Sequence, residues 1–172
     1  MAIFVLSSCA TENSTPEISG VNVYERLEEL NITLPEPGTP VANYVPARTS
    51  GNLVFLSGHG PRTPEGLPVT GKIGKDLTIE EGYRAARLTG LNILASLQRE
   101  IGDLNRVKRF IKVLGMVNAD PAFTDMPSVI NGFSDLMVEV FGENGKHARS
   151  AVGMASLPGS MPVEIEVIVE IH

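Results

Sequence analysis

Residues 147–171 read HARSAVGMASLPGSMPVEIEVIVEI, and the way this stretch is divided decides the fold. Two strand-like runs, 149–157 and 163–171, flank Pro158-Gly159-Ser160-Met161-Pro162. Side chains alternate along a strand, so Val163, Ile165, Val167, Val169 and Ile171 share one face of the second run. Glu164, Glu166, Ile168 and Glu170 share the other. The apolar face must cover a core, which leaves the second face for water, a ligand or another subunit. In the first run Arg149 shares a face with Ala151, Gly153, Ala155 and Leu157, a lone guanidinium above small side chains that permit a close approach. Paired as a hairpin, the runs place Glu164 near the loop and Arg149 near the open end, ~20 Å or more apart at about 3.3 Å per residue. A small ligand then cannot touch both within one chain, and a pocket using both is shared between subunits. The alternative is that both are surface charges on exposed strand positions.

Upstream, residues 125–141 carry Val129, Phe133, Leu136 and Val140 at helical spacing, with Pro127 tolerated in the first turn. Residues 106–118 read as a strand. Residues 77–102 form a long helix, in which Thr78 and Glu81 make a capping box. Its apolar stripe is Tyr83, Ala86, Gly90, Leu94, Leu97 and Ile101, leaving Arg84, Arg87 and Arg99 as a solvated face. The glycine- and proline-rich segment 58–74 is a loop with a short strand at 69–73. Gly58-His59-Gly60 lacks a P-loop lysine and no helix follows at once, so it does not cradle phosphate. Residues 43–48 and 53–58 form a hairpin about Ser50-Gly51-Asn52, its second strand fully buried. Residues 34–41, with three prolines, fit neither helix nor central strand, and 22–31 form a short amphipathic helix through Val23, Leu27 and Leu30.

This order predicts one α+β two-layer domain over residues 21–172, a mixed sheet of about six strands with two main helices on one face. The uncovered face, with Glu164, Glu166, Ala151 and Ala155, is half apolar and suited to burial against other copies of the chain.

The 172 residues are 42% hydrophobic, enough for one domain with a real core. Lys plus Arg number 14 against 20 Asp plus Glu, a net charge of -6 that argues against a protein built to grip phosphate backbones. One cysteine allows no internal disulfide, and no Cys/His cluster has metal-ligand spacing. His59, His147 and His172 are scattered, each read as a surface or loop histidine. Tryptophan is absent, aromatics are 5%, and no apolar run approaches a membrane span. Residues 1–20 are expected as an unstructured tail on a cytoplasmic protein. Leu6-Ser7-Ser8-Cys9 also matches a lipoprotein cleavage site, so export with lipidated Cys9 is the alternative, though the apolar run is short and no Lys or Arg precedes it.

From about Val23 to Ile171 the chain resembles the RidA/YjgF family, also labelled endoribonuclease L-PSP. The resemblance rests on Ala148-Arg149-Ser150 followed by Leu157-Pro158 and Val163-Glu164-Ile165-Glu166. It rests also on Tyr44, thirteen residues before Ser57-Gly58, and on Asn131 in the second long helix. VINGFSDLMVEVFG and GKHARSAVG are similar to a bacterial branch with little assigned biochemistry. The resemblance implies a chorismate-mutase-like fold, a homotrimer with three intersubunit pockets, and neither cofactor nor metal. It implies hydrolytic deamination of reactive enamines and imines, such as 2-aminoacrylate or other 2-imino acids, to 2-keto acids and ammonia. Arg149 would clamp the substrate carboxylate bidentately. Glu164 would hold or deprotonate the attacking water and pass a proton to the departing nitrogen. Tyr44, Ser57, Asn131 and the residue at Ala151 would line the pocket, with the Gly58 backbone helping to hold the carboxylate.

The chain departs from the family at Ala151, often cysteine in the deaminase branch, at His59, often glutamine, and at Ser134, where an aromatic is usual. His59 is then either a base near neutral pH or a loop histidine facing solvent. The altered wall leaves two readings beside the deaminase. One is a non-catalytic trimer that binds small carboxylates or metabolites in the same cleft. The weaker one is the endoribonuclease of the family label, disfavoured by the acidic balance and by the lack of a His/His or His/Lys pair; nucleic acid is not the expected partner.

Overall fold

Among the described residues, three α-helices and five strands follow one another as α1 (Val23–Glu29), β1 (Ala47–Ser50), β2 (Leu53–His59), α2 (Ile79–Ile101), β3 (Val107–Asn118), α3 (Met126–Phe141), β4 (Ala148–Met154) and β5 (Val163–Ile171). These come from a computed structural model that describes residues 22–39 and 42–172. The tail and the Cys9 reading lie outside the described residues. The strands form one sheet in the order β1-β2-β5-β3-β4, antiparallel except for the β3–β4 pair. The α+β two-layer architecture is as expected, with five strands rather than about six.

The final two strands do not form a hairpin. β5 lies between β2 and β3, while β4 pairs with the opposite edge of β3 in parallel. α3 connects β3 to β4, and a strand–helix–strand crossover returns the second strand parallel to the first. The connection to β5 then arches over the end of β3: Ala119 N donates to Met154 O at 3.3 Å and Asn118 N to Pro162 O at 2.9 Å. Positive φ at Gly159 and Ser160, 59° and 56°, shapes the arch. The apolar alternation of β5 therefore sits in the middle of the sheet, with two neighbours to satisfy its backbone.

Segment 69–73 is not a strand. Ile73 makes only isolated bridges to Leu77 and Ala119, because Pro68 has no N–H and Gly71 and Gly74 sit at positive φ. β2 is buried on one face only: Val54 and Leu56 are buried, whereas Phe55 is 44% exposed on the open side of the sheet.

α2 and α3 pack side by side on the other side. Thr78 caps α2 in both directions, its Oγ1 accepting from Glu81 N and its N donating to Glu81 Oε2 at 2.8 Å. The two helices touch where Gly132 of α3 meets α2, since a Cβ there would lie 2.0 Å from the Tyr83 carbonyl oxygen. Ile93, Leu94 and Leu97 of α2 and Phe133 and Leu136 of α3 are fully buried together with Val113, Ile165 and Val169 of the sheet. Each such side chain contributes about 1.5–3 kcal/mol. The α2 arginines are not simply a solvated face. Arg87 pairs with Glu139 at 2.7 Å, and Arg99 donates to Pro37 O at 2.5 Å, tying residues 37–38 to the helix.

The open face of the sheet carries Phe55, Leu114, Val152, Met154, Glu164, Glu166 and Ile168. Ala151 is not on it. Ala151 pairs with Gly115 and packs against the helix-side core, the face that Arg149 shares.

Candidate functional site

Strand β2 bulges beside β5. Leu56 pairs with Val167 and His59 with Ile165, so Ser57-Gly58 hold one residue more than the opposing strand. The bulge makes a seat for a carboxylate. A Cβ on Gly58 would lie 2.1 Å from Glu164 Oε1, so the Glu164 side chain rests directly on bare backbone. Burial first, and the neighbouring Glu166 second, push the Glu164 carboxyl above its ordinary range.

Glu164 faces a cavity of about 370 Å³ at this end of β2 and β5, lined by Tyr44, Ser57, Gly58 and His59 as well. Asn92 and Ser96 of α2, Arg62 and Val69 of the 58–74 loop, and Met161 of the arch complete its walls. Tyr44 is 51% exposed at the mouth. Ser57 Oγ donates to Val45 O at 2.7 Å, so its proton is committed to the backbone.

His59 is neither free base nor solvent-facing. Its Nδ1 lies 2.6 Å from Ser57 O and its Nε2 lies 2.8 Å from Ser96 Oγ. A carbonyl only accepts, so Nδ1 carries the proton, and the Ser96 hydroxyl donates to Nε2 of the neutral ring. Burial holds the ring below its ordinary pKa, against the opposing effect of the Ser57 carbonyl. Glu164 is therefore the group in this cavity best placed to exchange a proton.

Arg149, Asn131 and Ala151 lie elsewhere. Arg149 pairs with Val113, which faces Val167, and these valines are buried under the helices. Glu164 pairs with Met116, opposite Val152 on the open face. The two residues are thus on opposite sides of the sheet, with β3 between their strands and three residues of register between them. At strand spacings of about 4.8 Å and 3.3 Å per residue, their backbones are about 14 Å apart. This is shorter than a hairpin implies, but within one chain the two charges do not face one another.

Arg149 is presented rather than neutralised. Its Nη1 donates to Asn131 Oδ1 at 2.9 Å and to Ser134 Oγ at 3.0 Å, both neutral, and among the described residues it pairs with no carboxylate. Ser134, Ser96 and His147 were not singled out by sequence as site residues. The departure from the family at Ser134 was the available signal, because it puts a hydroxyl where an aromatic is usual. His147 is a loop histidine, as read, but half-buried just before β4 rather than on the open surface. No group of three His, Cys, Asp or Glu side chains among the described residues could hold a metal, and no helix there is long and apolar enough to cross a membrane.

A family model described as "YjgF/chorismate_mutase-like, putative endoribonuclease" matches residues 24–170. The protein TCP17 of Trypanosoma cruzi is 42% identical over 156 residues, 90% of this chain and 98% of that protein. A 2-iminobutanoate/2-iminopropanoate deaminase of Dermatophagoides farinae is 32% identical over 143 residues, covering 82% of this chain and 95% of that one. Among solved structures, the protein Atu1372 of Agrobacterium tumefaciens, described as of unknown function, is 46% identical with a TM-score of 0.80, over 88% of this chain and 94% of its own.

Proposed function

The chain belongs to the YjgF/chorismate-mutase-like family, and on that premise we propose that it hydrolyses reactive 2-imino acids and their enamines to 2-keto acids and ammonia in clefts shared between subunits. The observation that carries this reading is the division of charge. A half-buried carboxylate with a raised pKa opens on a cavity, and an uncompensated guanidinium lies on the other side of the sheet at the far edge. Each half lacks what the other supplies. A head-to-tail contact brings the β4 edge of one copy to the Glu164 cavity of the next, and such contacts close into a ring, here a trimer. The ring also covers the exposed apolar side chains Phe55, Val152 and Met154.

In that cleft Arg149 of one subunit binds the substrate carboxylate and fixes C2 of the imine over Glu164 of the next. Glu164 takes a proton from water as its oxygen bonds to C2. It passes that proton to the imine nitrogen, giving a carbinolamine; it then takes the adduct's hydroxyl proton and delivers it to the same nitrogen as the C–N bond breaks, so that the keto group forms and ammonia leaves. A carboxyl held above its ordinary range is a stronger base toward the water than an exposed glutamate. His59 and His147 are each committed to a serine and a carbonyl in separate half-sites, which weighs against the paired-histidine chemistry of a ribonuclease.

The test is keto-acid release from imines generated in situ by an amino-acid oxidase. Arg149→Ala and Glu164→Gln each lower the rate by about 100-fold or more. The two variants are then mixed, unfolded and refolded together. A site shared between chains recovers about a quarter of the wild-type rate in an equal mixture, because one in four clefts draws both intact residues. No recovery would place both residues in one chain's site. Absence of turnover by the wild type, with 2-keto acids still bound at Arg149, would convert the reading to a small-carboxylate binding protein.

A further inference from the structure

Arg149 stands at the head of a chain of hydrogen bonds that ends in a histidine. Its two Nη1 protons are taken by Asn131 Oδ1 and Ser134 Oγ, at 2.9 and 3.0 Å, which leaves the Nε–Nη2 edge without a partner among the described residues and suited to a bidentate carboxylate. Ser134 Oγ lies 3.0 Å from His147 Nε2, and His147 Nδ1 lies 2.7 Å from Gly145 O. The carbonyl fixes the proton on Nδ1, so in the neutral ring Nε2 accepts the Ser134 hydroxyl proton. The serine rotor is thereby held with its lone pairs toward Arg149. The ring itself is held edge-on to Phe133, with centroids 5.8 Å apart.

We infer that His147 is a positioning residue for the carboxylate clamp, acting on Arg149 through the Ser134 hydroxyl. This rests on the reading of Arg149 as the clamp. His147 touches no substrate. It selects one of the serine's rotamers, and so one of the guanidinium's orientations, before the ligand arrives.

The arrangement has a proton-dependent signature. When His147 takes a second proton, Nε2 becomes a donor, and Ser134 Oγ must accept from two cations at once. Burial and the nearby Arg149 charge both keep the ring neutral at ordinary pH, the Gly145 carbonyl opposing them. Arg149 is the charge that acts on the ring. Glu143 and Lys146 of the adjoining turn satisfy each other at 2.7 Å, and Asp135 and Glu139 of α3 are bound to Tyr83 and Arg87 of α2. Protonation of the partner subunit's Glu164 would have the opposite sign, since losing an anion strengthens carboxylate binding.

The experiment compares wild type with Ser134→Ala, His147→Phe and His147→Gln. Gln keeps an acceptor for Ser134 but does not titrate; Phe keeps the bulk alone. Affinity for 2-ketobutyrate is expected to fall about tenfold in Ser134→Ala and His147→Phe, the order of one lost hydrogen bond to a charged group, and to stay near wild type in His147→Gln. Wild-type affinity weakens on acidification below the histidine range, and His147→Gln removes that weakening. The ¹H–¹⁵N signals of the Arg149 guanidinium give a ligand-free readout: restrained in wild type and His147→Gln, averaged in His147→Phe. A His147→Phe protein with restrained signals and wild-type affinity overturns the inference. If wild type binds no carboxylate while the guanidinium signals still follow His147, the positioning stands and the clamp reading fails.

Discussion

The Glu164 and Arg149 half-sites rest on the same device, put to different use. In each, a histidine donates from Nδ1 to the carbonyl two residues before it and accepts at Nε2 from a serine on a helix: His59 with Ser96 of α2, His147 with Ser134 of α3. Ser96 is 3% exposed, and among the described residues it hands its bond on to nothing further. It staples the bulged end of β2 to α2, and the bulge holds Glu164. Ser134 sits beside a cation and relays the histidine's preference to it. A histidine–serine pair is scaffolding when the serine passes its bond to nothing further, and a steering device when the serine also accepts from a cation.

The comparison breaks most sharply at glycine. Gly58→Ala forces the Glu164 carboxylate off its seat, and a displacement of about 1 Å lowers keto-acid release by roughly 100-fold. Because the obstacle is the end of a side chain, the melting temperature changes little. Gly132→Ala collides with the Tyr83 backbone at 2.0 Å instead and prevents α2 and α3 from closing. Circular dichroism and turnover measured on both separate a site glycine from a packing glycine; wild-type turnover by Gly58→Ala would mean that the seated carboxylate is not the reacting one.

A smaller contrast separates the serines. Ser96→Ala leaves His59 Nε2 unsatisfied in a buried position and costs about 1–3 kcal/mol in a denaturant titration, without changing carboxylate affinity beyond what unfolding explains. Ser134→Ala weakens carboxylate affinity instead, because it removes the acceptor of an Arg149 Nη1 proton. Equal losses of stability in the two would dissolve the distinction.

The pH dependence of folding has two opposite components. Both histidines have folded pKa values below their unfolded value of about 6.5, so the unfolded chain protonates first. Their contribution to stability is full above that value and is lost as pH falls through it. Melting temperature therefore declines from neutral to acidic pH, and His147→Gln makes the decline shallower. Glu164 runs the other way. Its folded pKa is raised, so its contribution is present below the unfolded carboxyl value and is lost as pH rises through the folded one. Glu164→Gln accordingly melts slightly higher than wild type at neutral pH, and the difference vanishes in acid. A lower melting temperature at neutral pH would show that the carboxylate is satisfied where it lies.

Much of this was legible in local pattern. The alternation of β5, the capping box at Thr78 and Glu81, and the apolar stripe of α3 each depend on residues within a turn or two of one another. So did the motif residues Arg149 and Glu164, whose separation within one chain follows from either geometry. The strand order was not legible, because alternation says which face a side chain takes and not which strand lies beside it. That omission produced the hairpin, the misplaced face of Ala151 and the longer separation.

The histidine–serine pairs escaped for a similar reason. Ser96 lies 37 residues from His59, and Ser134 lies 13 residues from His147 on a different element. As sequence, Ser96 is a polar interruption of an apolar helix, and His147 is one more scattered histidine. Local chemistry and periodicity determined the elements, the two-layer class and the charged pair worth watching. The tertiary structure alone decided that β5 is central, that Gly58 seats Glu164 and that His147 reaches Arg149. Each of these is a contact between segments that the chain's covalent geometry leaves free, and only the strand order of the sheet and the packing of α2 and α3 on one side of it bring them together.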